Sequence, residues 1–137
     1  MIYLDTSALV KLYVREAFSE DVRNAVAGQA VRTVSIAFVE TLAAFARKSE
    51  LTESERLTVT REFLKSWHRF RALPTDDVLE PAGILTRAHR LRAFDALHLA
   101  AALELGAPSG IRFAVYDPEL ARAAQDEGFQ VLTDPTY

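Results

Sequence analysis

Short apolar runs that alternate with helical stretches constrain this chain more than any other feature of its sequence. Ile2, Tyr3 and Leu4 form a run of the buried-strand type that stops at Asp5, and Thr6 to Val14 then read as a helix. Ser19 stands where it could cap a second helix over Glu20 to Ala27, with Gly28 as its left-handed stop. Val31 to Val34 are strand-tolerant and lead, from Ser35, into a helical stretch that reaches about Lys48. Thr52 and Glu55 have capping-box spacing and open a helix whose apolar set includes Leu57, Phe63, Leu64, Trp67 and Phe70. An extended piece around Ala72 to Thr75 precedes a helix with Pro81 in its first turn and Leu85, Ala88 and Leu91 on its stripe. Phe94 to Leu105 reads as another helix, ended by Gly106 and Pro108. Arg112 to Tyr116 read as a strand, Asp117 and Pro118 open a helix to about Glu127, and Phe129 to Leu132 read as a final strand. Strands joined by helices predict an α/β protein with a mostly parallel sheet, covered on both faces and connected by right-handed crossovers.

At 137 residues, with no internal repeat and only the short loop 107–111 as a break, the chain is expected to form one domain over residues 1–137. The absence of cysteine removes disulfides, thiolate zinc sites, iron–sulfur clusters and cysteine nucleophiles, so any metal must use oxygen or histidine. A formal net charge of −3 argues against binding nucleic acid through bulk positive charge. The charge is uneven, however: residues 45–92 carry ten basic and seven acidic groups, and residues 93–137 carry two and seven. A phosphate-binding surface beside a carboxylate site fits that division, and so do ordinary solvated helix faces. No run of about 18 apolar residues occurs, and Asp5 interrupts the greasy start a signal peptide would need, so the expectation is a cytoplasmic protein with no membrane partner.

In open parallel sheets, ligands collect at the carboxyl ends of the strands, which makes acids at those ends informative. Asp5 and Asp117 each directly follow a strand, and Asp95 lies near the start of an otherwise apolar helix. Each of the three could equally be a helix N-cap. Glu40 cannot be explained that way, because it sits inside a helix among Ile36, Ala37, Val39, Leu42, Ala43 and Phe45 and needs a buried partner or a cation. Four carboxylates drawn together would repel unless a cation intervened, and an all-oxygen set suits Mg²⁺ or Mn²⁺ better than zinc.

The segments IYLDTSALVKLY, SIAFVE, RAFDALHLAAA and FAVYDPELARAAQDEGFQVL, in that order and each with its acid, resemble PIN-domain ribonucleases, in particular the VapC-type toxins of toxin–antitoxin pairs. The resemblance implies a three-layer α/β/α sandwich with Asp5, Glu40, Asp95 and Asp117 gathered at one end as catalytic and Mg²⁺-binding residues. It implies Mg²⁺-dependent endonucleolytic cleavage of structured RNA such as a tRNA or ribosomal RNA element, inhibition by a cognate antitoxin, and a homodimer. Many relatives have Thr two residues before the last acid, whereas this chain has Val115. Asp5 and Asp95 are accordingly expected to hold the cation, with Glu40 and Asp117 completing its shell directly or through water.

Around these acids, Thr6 and Ser7 are supporting candidates that could bind phosphate, orient Asp5 or simply cap the helix. Lys11, Arg15, Arg47, Lys48 and Arg92 lie within a few residues of the site segments and are candidate RNA contacts. His98, one turn after Asp95, reads as a satisfied core histidine rather than a base, His68 and His89 as solvated, and Trp67 and Phe70 as core rather than base-stacking. Two other functions compete with this one, and the presence of all four acids argues against the first. One is a PIN scaffold without catalysis that binds RNA or a partner protein. The other is a phospho-accepting receiver domain, which would want paired acids after the first strand and a lysine after a late one, neither of which occurs.

Overall fold

Each strand is only three or four residues long, so each places one or two side chains on either face of the sheet and the helices supply most of the core. The computed structural model describes residues 1–137. Its elements run β1 (Ile2–Leu4), α1 (Thr6–Tyr13), α2 (Ser19–Val26), β2 (Val31–Val34), α3 (Ala37–Arg47), α4 (Glu53–Ser66), β3 (Arg71–Leu73), α5 (Leu79–His89), α6 (Ala93–Glu104), β4 (Arg112–Ala114), α7 (Pro118–Asp126) and β5 (Gln130–Leu132). The strands lie in the order β3-β2-β1-β4-β5 and every neighbouring pair is parallel, with Tyr3 opposite both Arg32 and Phe113. The chain therefore builds outward from β1 on one side, returns across the sheet, and builds outward again from β4. Strand order reverses between β1 and β4, the place where such sheets open a crevice.

The two-residue period of the strands divides the core. Tyr3, Val34, Phe113 and Val115 pack with α5, α6 and α7, while Ile2, Leu4 and Ala114 pack with α1, α2 and the start of α3. A third cluster, Val10, Val14, Phe45, Val59 and Phe63, joins α1, α3 and α4. Helices thus cover both faces, which is the expected three-layer sandwich. The extended piece after Phe70 is the edge strand β3, paired with β2 through Thr33 and Ala72.

Local chemistry differs from expectation at two helices. Ser19 does not cap α2: the cap position is Phe18, left-handed at φ 66°, while the Ser19 hydroxyl donates to Val14 O (2.8 Å) and accepts from Glu16 N–H (3.0 Å), clasping the preceding turn. The Phe18 ring stacks on Tyr116, 5.4 Å between ring centroids. On α4 the stripe facing the core is Val59 and Phe63, continued by Trp67, whereas Leu57 and Leu64 point outward, 47% and 51% exposed. Composition marked five large residues, but only the docking angle of the helix selects which of them are covered.

The capping box is present, with Thr52 Oγ1 accepting from Glu55 N–H (3.1 Å) and Glu55 Oε1 accepting from Thr52 N–H (2.9 Å). Thr52→Ala is expected to lower Tm by roughly 3 °C, as loss of a single cap does in a domain of this size, measurable by thermal circular dichroism. An unchanged Tm would mean that packing alone starts α4.

Candidate metal centre

Asp5 leaves the end of β1 and Asp117 lies just beyond the end of β4, the two strands that flank the reversal of strand order. Both are N-caps as well as site candidates: Asp5 Oδ1 accepts from Ala8 N–H (3.0 Å) and Asp117 Oδ1 from Leu120 N–H (2.9 Å). Capping fixes one oxygen of each carboxylate; the other is without a hydrogen bond in Asp5 and is held by the exposed Arg92 in Asp117, so capping does not exclude a second role. Asp95 is no cap. Helix α6 begins at Ala93 with Arg92 in the cap position, so Asp95 projects from the first turn.

The surroundings of these carboxylates are incomplete in a specific way. Asp5 is buried, and both of its hydrogen bonds, from Ser7 Oγ (2.6 Å) and Ala8 N–H, fall on Oδ1. Burial is the main reason its acid is pushed up to about 6; His98, Ser7 and Ala8 oppose the shift and the charge of Asp95 adds to it. Asp95 is raised as well, first by burial and then by Asp117, against the pull of Arg92 and His98. Its Oδ2 is sealed from solvent without a hydrogen-bond partner, the 3.4 Å approach of Arg92 Nε being a charge contact. Arg92, itself 73% exposed at its side chain, also reaches Asp117 Oδ2 at 3.1 Å.

Glu40, in the first turn of α3, faces a cleft of about 290 Å³ whose walls include Thr6, Arg47 and Phe94. Its Oε1 accepts from Thr6 Oγ1 (2.9 Å) and lies 2.9 Å from His98 Nε2. Burial alone would raise this acid, but the hydrogen bond and charge of His98, with the Thr6 hydroxyl, hold it below the usual carboxylate range. The buried partner that its apolar helix demanded is thus His98. That imidazole is 2% exposed, as a core histidine should be, yet it also contacts Thr6 Oγ1 (3.2 Å) and, through Nδ1, the hydroxyl of Tyr3 (2.9 Å). Tyr3 was not visible as a site residue in the sequence, because an aromatic in a buried strand reads as core; the one available signal was the spacing that puts His98 on the same face of α6 as Asp95.

The supporting residues have distinct positions. Ser7 holds Asp5 and accepts from Tyr116 N–H (2.8 Å), whereas the Thr6 hydroxyl is turned to Glu40. Among the cations, Arg15, Arg47 and Arg92 are exposed. Lys11 is buried, pairs with Glu16 (3.0 Å) and lies 4.7 Å from the centre of the Tyr116 ring, and Lys48 pairs with the same Glu16 at 2.6 Å. Contact with an RNA backbone would require both lysines to leave that carboxylate. Trp67 and Phe70 are half-buried in the core clusters, and His68 is exposed. His89 is not simply solvated: its Nε2 lies 2.6 Å from Glu127 Oε1, tying α5 to the end of α7.

No three of the His, Asp and Glu side chains stand close enough to form a ready-made cation cage. The donors nevertheless fit a hard cation that keeps much of its water and takes few protein ligands directly. All are carboxylate oxygens, Asp5 and Asp95 are raised chiefly by burial, with Asp95 adding to the first and Asp117 to the second, and the Oδ2 of Asp95 has no hydrogen bond, only the charge contact of Arg92. A closed zinc site does not fit this set.

A parallel α/β sheet with acids at the ends of its central strands is the framework of several phosphate-handling proteins, and the PIN domain profile matches residues 2–126: the chain belongs to the PIN-domain family. Its relatives include Ribonuclease VapC45 of Mycobacterium tuberculosis (strain CDC 1551 / Oshkosh), 39% identical over 136 residues that cover 96% of this chain and 94% of that one. Ribonuclease VapC46 of Mycobacterium tuberculosis (strain ATCC 25618 / H37Rv) is 35% identical over 134 residues, 96% of this chain and 95% of that one. Among solved structures, Mycobacterium tuberculosis VapC20, described as a sarcin-ricin loop cleaving toxin, superposes with TM-score 0.69 at 19% identity over 94% of this chain and 96% of that one. FitAcB from Neisseria gonorrhoeae gives TM-score 0.67 at 19% identity, covering 100% and 99%. At that identity the two structures establish the fold, and the curated relatives are what tie the chain to VapC ribonucleases.

Proposed function

We propose that this protein is a VapC-type endoribonuclease toxin that cleaves structured RNA, a tRNA or ribosomal RNA element, at the crevice of Asp5, Asp95 and Asp117. The observation that supports the reading is the placing of Asp5 and Asp117 at the ends of the two strands that flank the β1–β4 reversal, with Asp95 tied to Asp117 through Arg92 and its Oδ2 buried without a hydrogen bond. Asp5 and Asp95 would hold Mg²⁺, with Mn²⁺ as a substitute, and Glu40 and Asp117 would complete the shell directly or through water. When bound, such a cation supplies charge neutralisation at the phosphate and an activated water for in-line attack. Ser7 keeps the Asp5 carboxylate oriented, and Arg92, lightly held and exposed, is free to turn from Asp95 and Asp117 toward a phosphate.

A cognate antitoxin is part of this reading, supported by the fold shared with a toxin–antitoxin complex from Klebsiella pneumoniae at TM-score 0.61. A homodimer and action in the cytoplasm, where RNA is available, complete it. No helix is long and apolar enough to cross a membrane.

The test is incubation of the purified protein with total RNA and Mg²⁺, with and without chelator, beside Asp95→Asn. Cleavage should stop with chelator and fall at least about 100-fold in the variant, because losing even a residue that only supports a ligand commonly costs 10- to 100-fold. The products should carry 5′-phosphate and 3′-hydroxyl ends. A 2′,3′-cyclic phosphate would mean that the ribose hydroxyl attacked, and RNA bound without cleavage would mean a scaffold.

A further inference from the structure

Behind the carboxylate crevice lies a buried polar chain that links β1, α6, α3 and α1: Tyr3, His98, Glu40 and Thr6. Its two innermost members are closed to solvent, Tyr3 at 0% and His98 at 2% exposure, and the ring edges of Tyr3 meet His98 and Phe113 in T-shaped contacts. Both nitrogens of His98 meet oxygen atoms from three other elements, Tyr3 of β1 at Nδ1 and Glu40 of α3 and Thr6 of α1 at Nε2.

The donors can be assigned from the network. Glu40, as a carboxylate, only accepts, so the 2.9 Å contact at Oε1 requires a proton on His98 Nε2. Thr6 donates its own proton to the same oxygen, which leaves the Thr6 oxygen to accept a weaker share of Nε2–H at 3.2 Å. When the ring is uncharged, a proton on Nε2 obliges Nδ1 to accept, and the group there is the Tyr3 hydroxyl at 2.9 Å. Every donor then has an acceptor. Tyr3 selects the tautomer, the tautomer holds Oε1, and Oε2 of Glu40 is left without a protein partner, in a residue that lines a cleft with Thr6, Arg47 and Phe94.

We propose that Tyr3 and His98 are positioning residues for the cation site, fixing Glu40 from behind so that its second oxygen is presented to the bound ion or to that ion's water. The proposal rests on the metal-dependent reading above. It treats His98 as a rigid tether that neither touches substrate nor exchanges a proton with it, and it makes Glu40 useful only in the one orientation that the tether permits.

Three variants test it: Tyr3→Phe, which removes one oxygen; His98→Leu, which keeps bulk without a donor; and His98→Gln, whose amide nitrogen can stand where Nε2 does. Mn²⁺ affinity is read by electron paramagnetic resonance of the free ion, and the ring nitrogens of His98 by long-range ¹H–¹⁵N NMR, with folding checked by near-UV circular dichroism. The wild type should show the Nε2–H tautomer alone and Tyr3→Phe a mixture. Mn²⁺ affinity should fall about 10- to 100-fold in His98→Leu, less in Tyr3→Phe, and within a few-fold of wild type in His98→Gln, the scale seen when groups supporting a metal ligand are removed. A single Nε2–H tautomer with wild-type Mn²⁺ affinity in Tyr3→Phe, or equal affinity in the Leu and Gln variants, would overturn the proposal. A wild type that binds no Mn²⁺ and cleaves no RNA would instead overturn the metal-dependent reading, while the tautomer measurement would still report whether Tyr3 locks His98.

Discussion

In chelator at pH 7, Asp5→Asn is expected to be more stable than the wild type by about 2–3 kcal/mol, while losing RNA cleavage. The wild-type carboxylate is buried, and its acid is pushed up to about 6. An acid whose folded value lies above its unfolded value near 4 weakens the fold once it ionises. The penalty is absent below pH 4, grows as pH rises from 4 to 6, and is complete above 6. Asparagine resembles the protonated acid in shape and keeps an oxygen for the Ala8 N–H and Ser7 hydroxyl bonds. The variant should therefore lack this downward slope between pH 4 and 6, and its Tm at pH 7 should stand roughly 5–10 °C above wild type. Urea unfolding at pH 4 and pH 7 checks it: a gap that does not open with pH would show that burial of Asp5 carries no strain. Divalent cations should narrow the gap by stabilising the wild type alone, since ligand binding to the folded state raises its stability.

A change of opposite sign is expected in the aromatic cluster between α1, α3 and α4, where Phe63→Ala should destabilise by about 3–5 kcal/mol. Phe63 is completely buried in α4, with the rings of Tyr13, Phe38, Phe45 and Trp67 all within 5.8 Å centroid to centroid. Four surrounding rings on α1, α3 and the end of α4 cannot all collapse into the vacated space, so most of the cavity should persist. Phe38 and Phe45 lie on either side of Glu40 along α3, and Tyr13 ends the helix that Asp5 caps. The variant should therefore also bind divalent cations more weakly, although no substituted atom touches the site. Chemical denaturation gives the first effect. A loss below about 1 kcal/mol would mean that the aromatic cluster refills.

The functional pH dependence follows from the same carboxylates. Because both Asp5 and Asp95 are raised, protons compete with a cation there over a range nearer neutrality than for ordinary acids. Mn²⁺ affinity should fall as pH drops through about 6, the value that burial sets for Asp5. Affinity that stays flat from pH 7 to 5 would place the ion away from Asp5.

Much of this protein was legible in one dimension because the information is local. The alternation of Ile2–Leu4, Val31–Val34 and Arg112–Ala114 with helices identifies a parallel α/β sheet, since parallel strands need covered faces and long crossovers. Asp5 and Asp117 could be singled out because a residue that ends a strand and caps the next helix lies at the carboxyl edge whatever the rest of the chain does. Glu40 announced itself by being charged where its helix is apolar.

What sequence could not determine depends on contacts between residues far apart in the chain. Whether Leu57 or Val59 faces inward depends on the rotation of α4 against α3, and whether Lys11 and Lys48 are free depends on Glu16 arriving between them. The tether of Glu40 joins Tyr3, Thr6 and His98 across 95 positions of chain, and hydrogen bonds of that separation have no periodic signature. Local propensity and patterning determined the elements and the acids at their ends; only the folded arrangement, through burial and distance, decided which polar groups are charged, paired or left open.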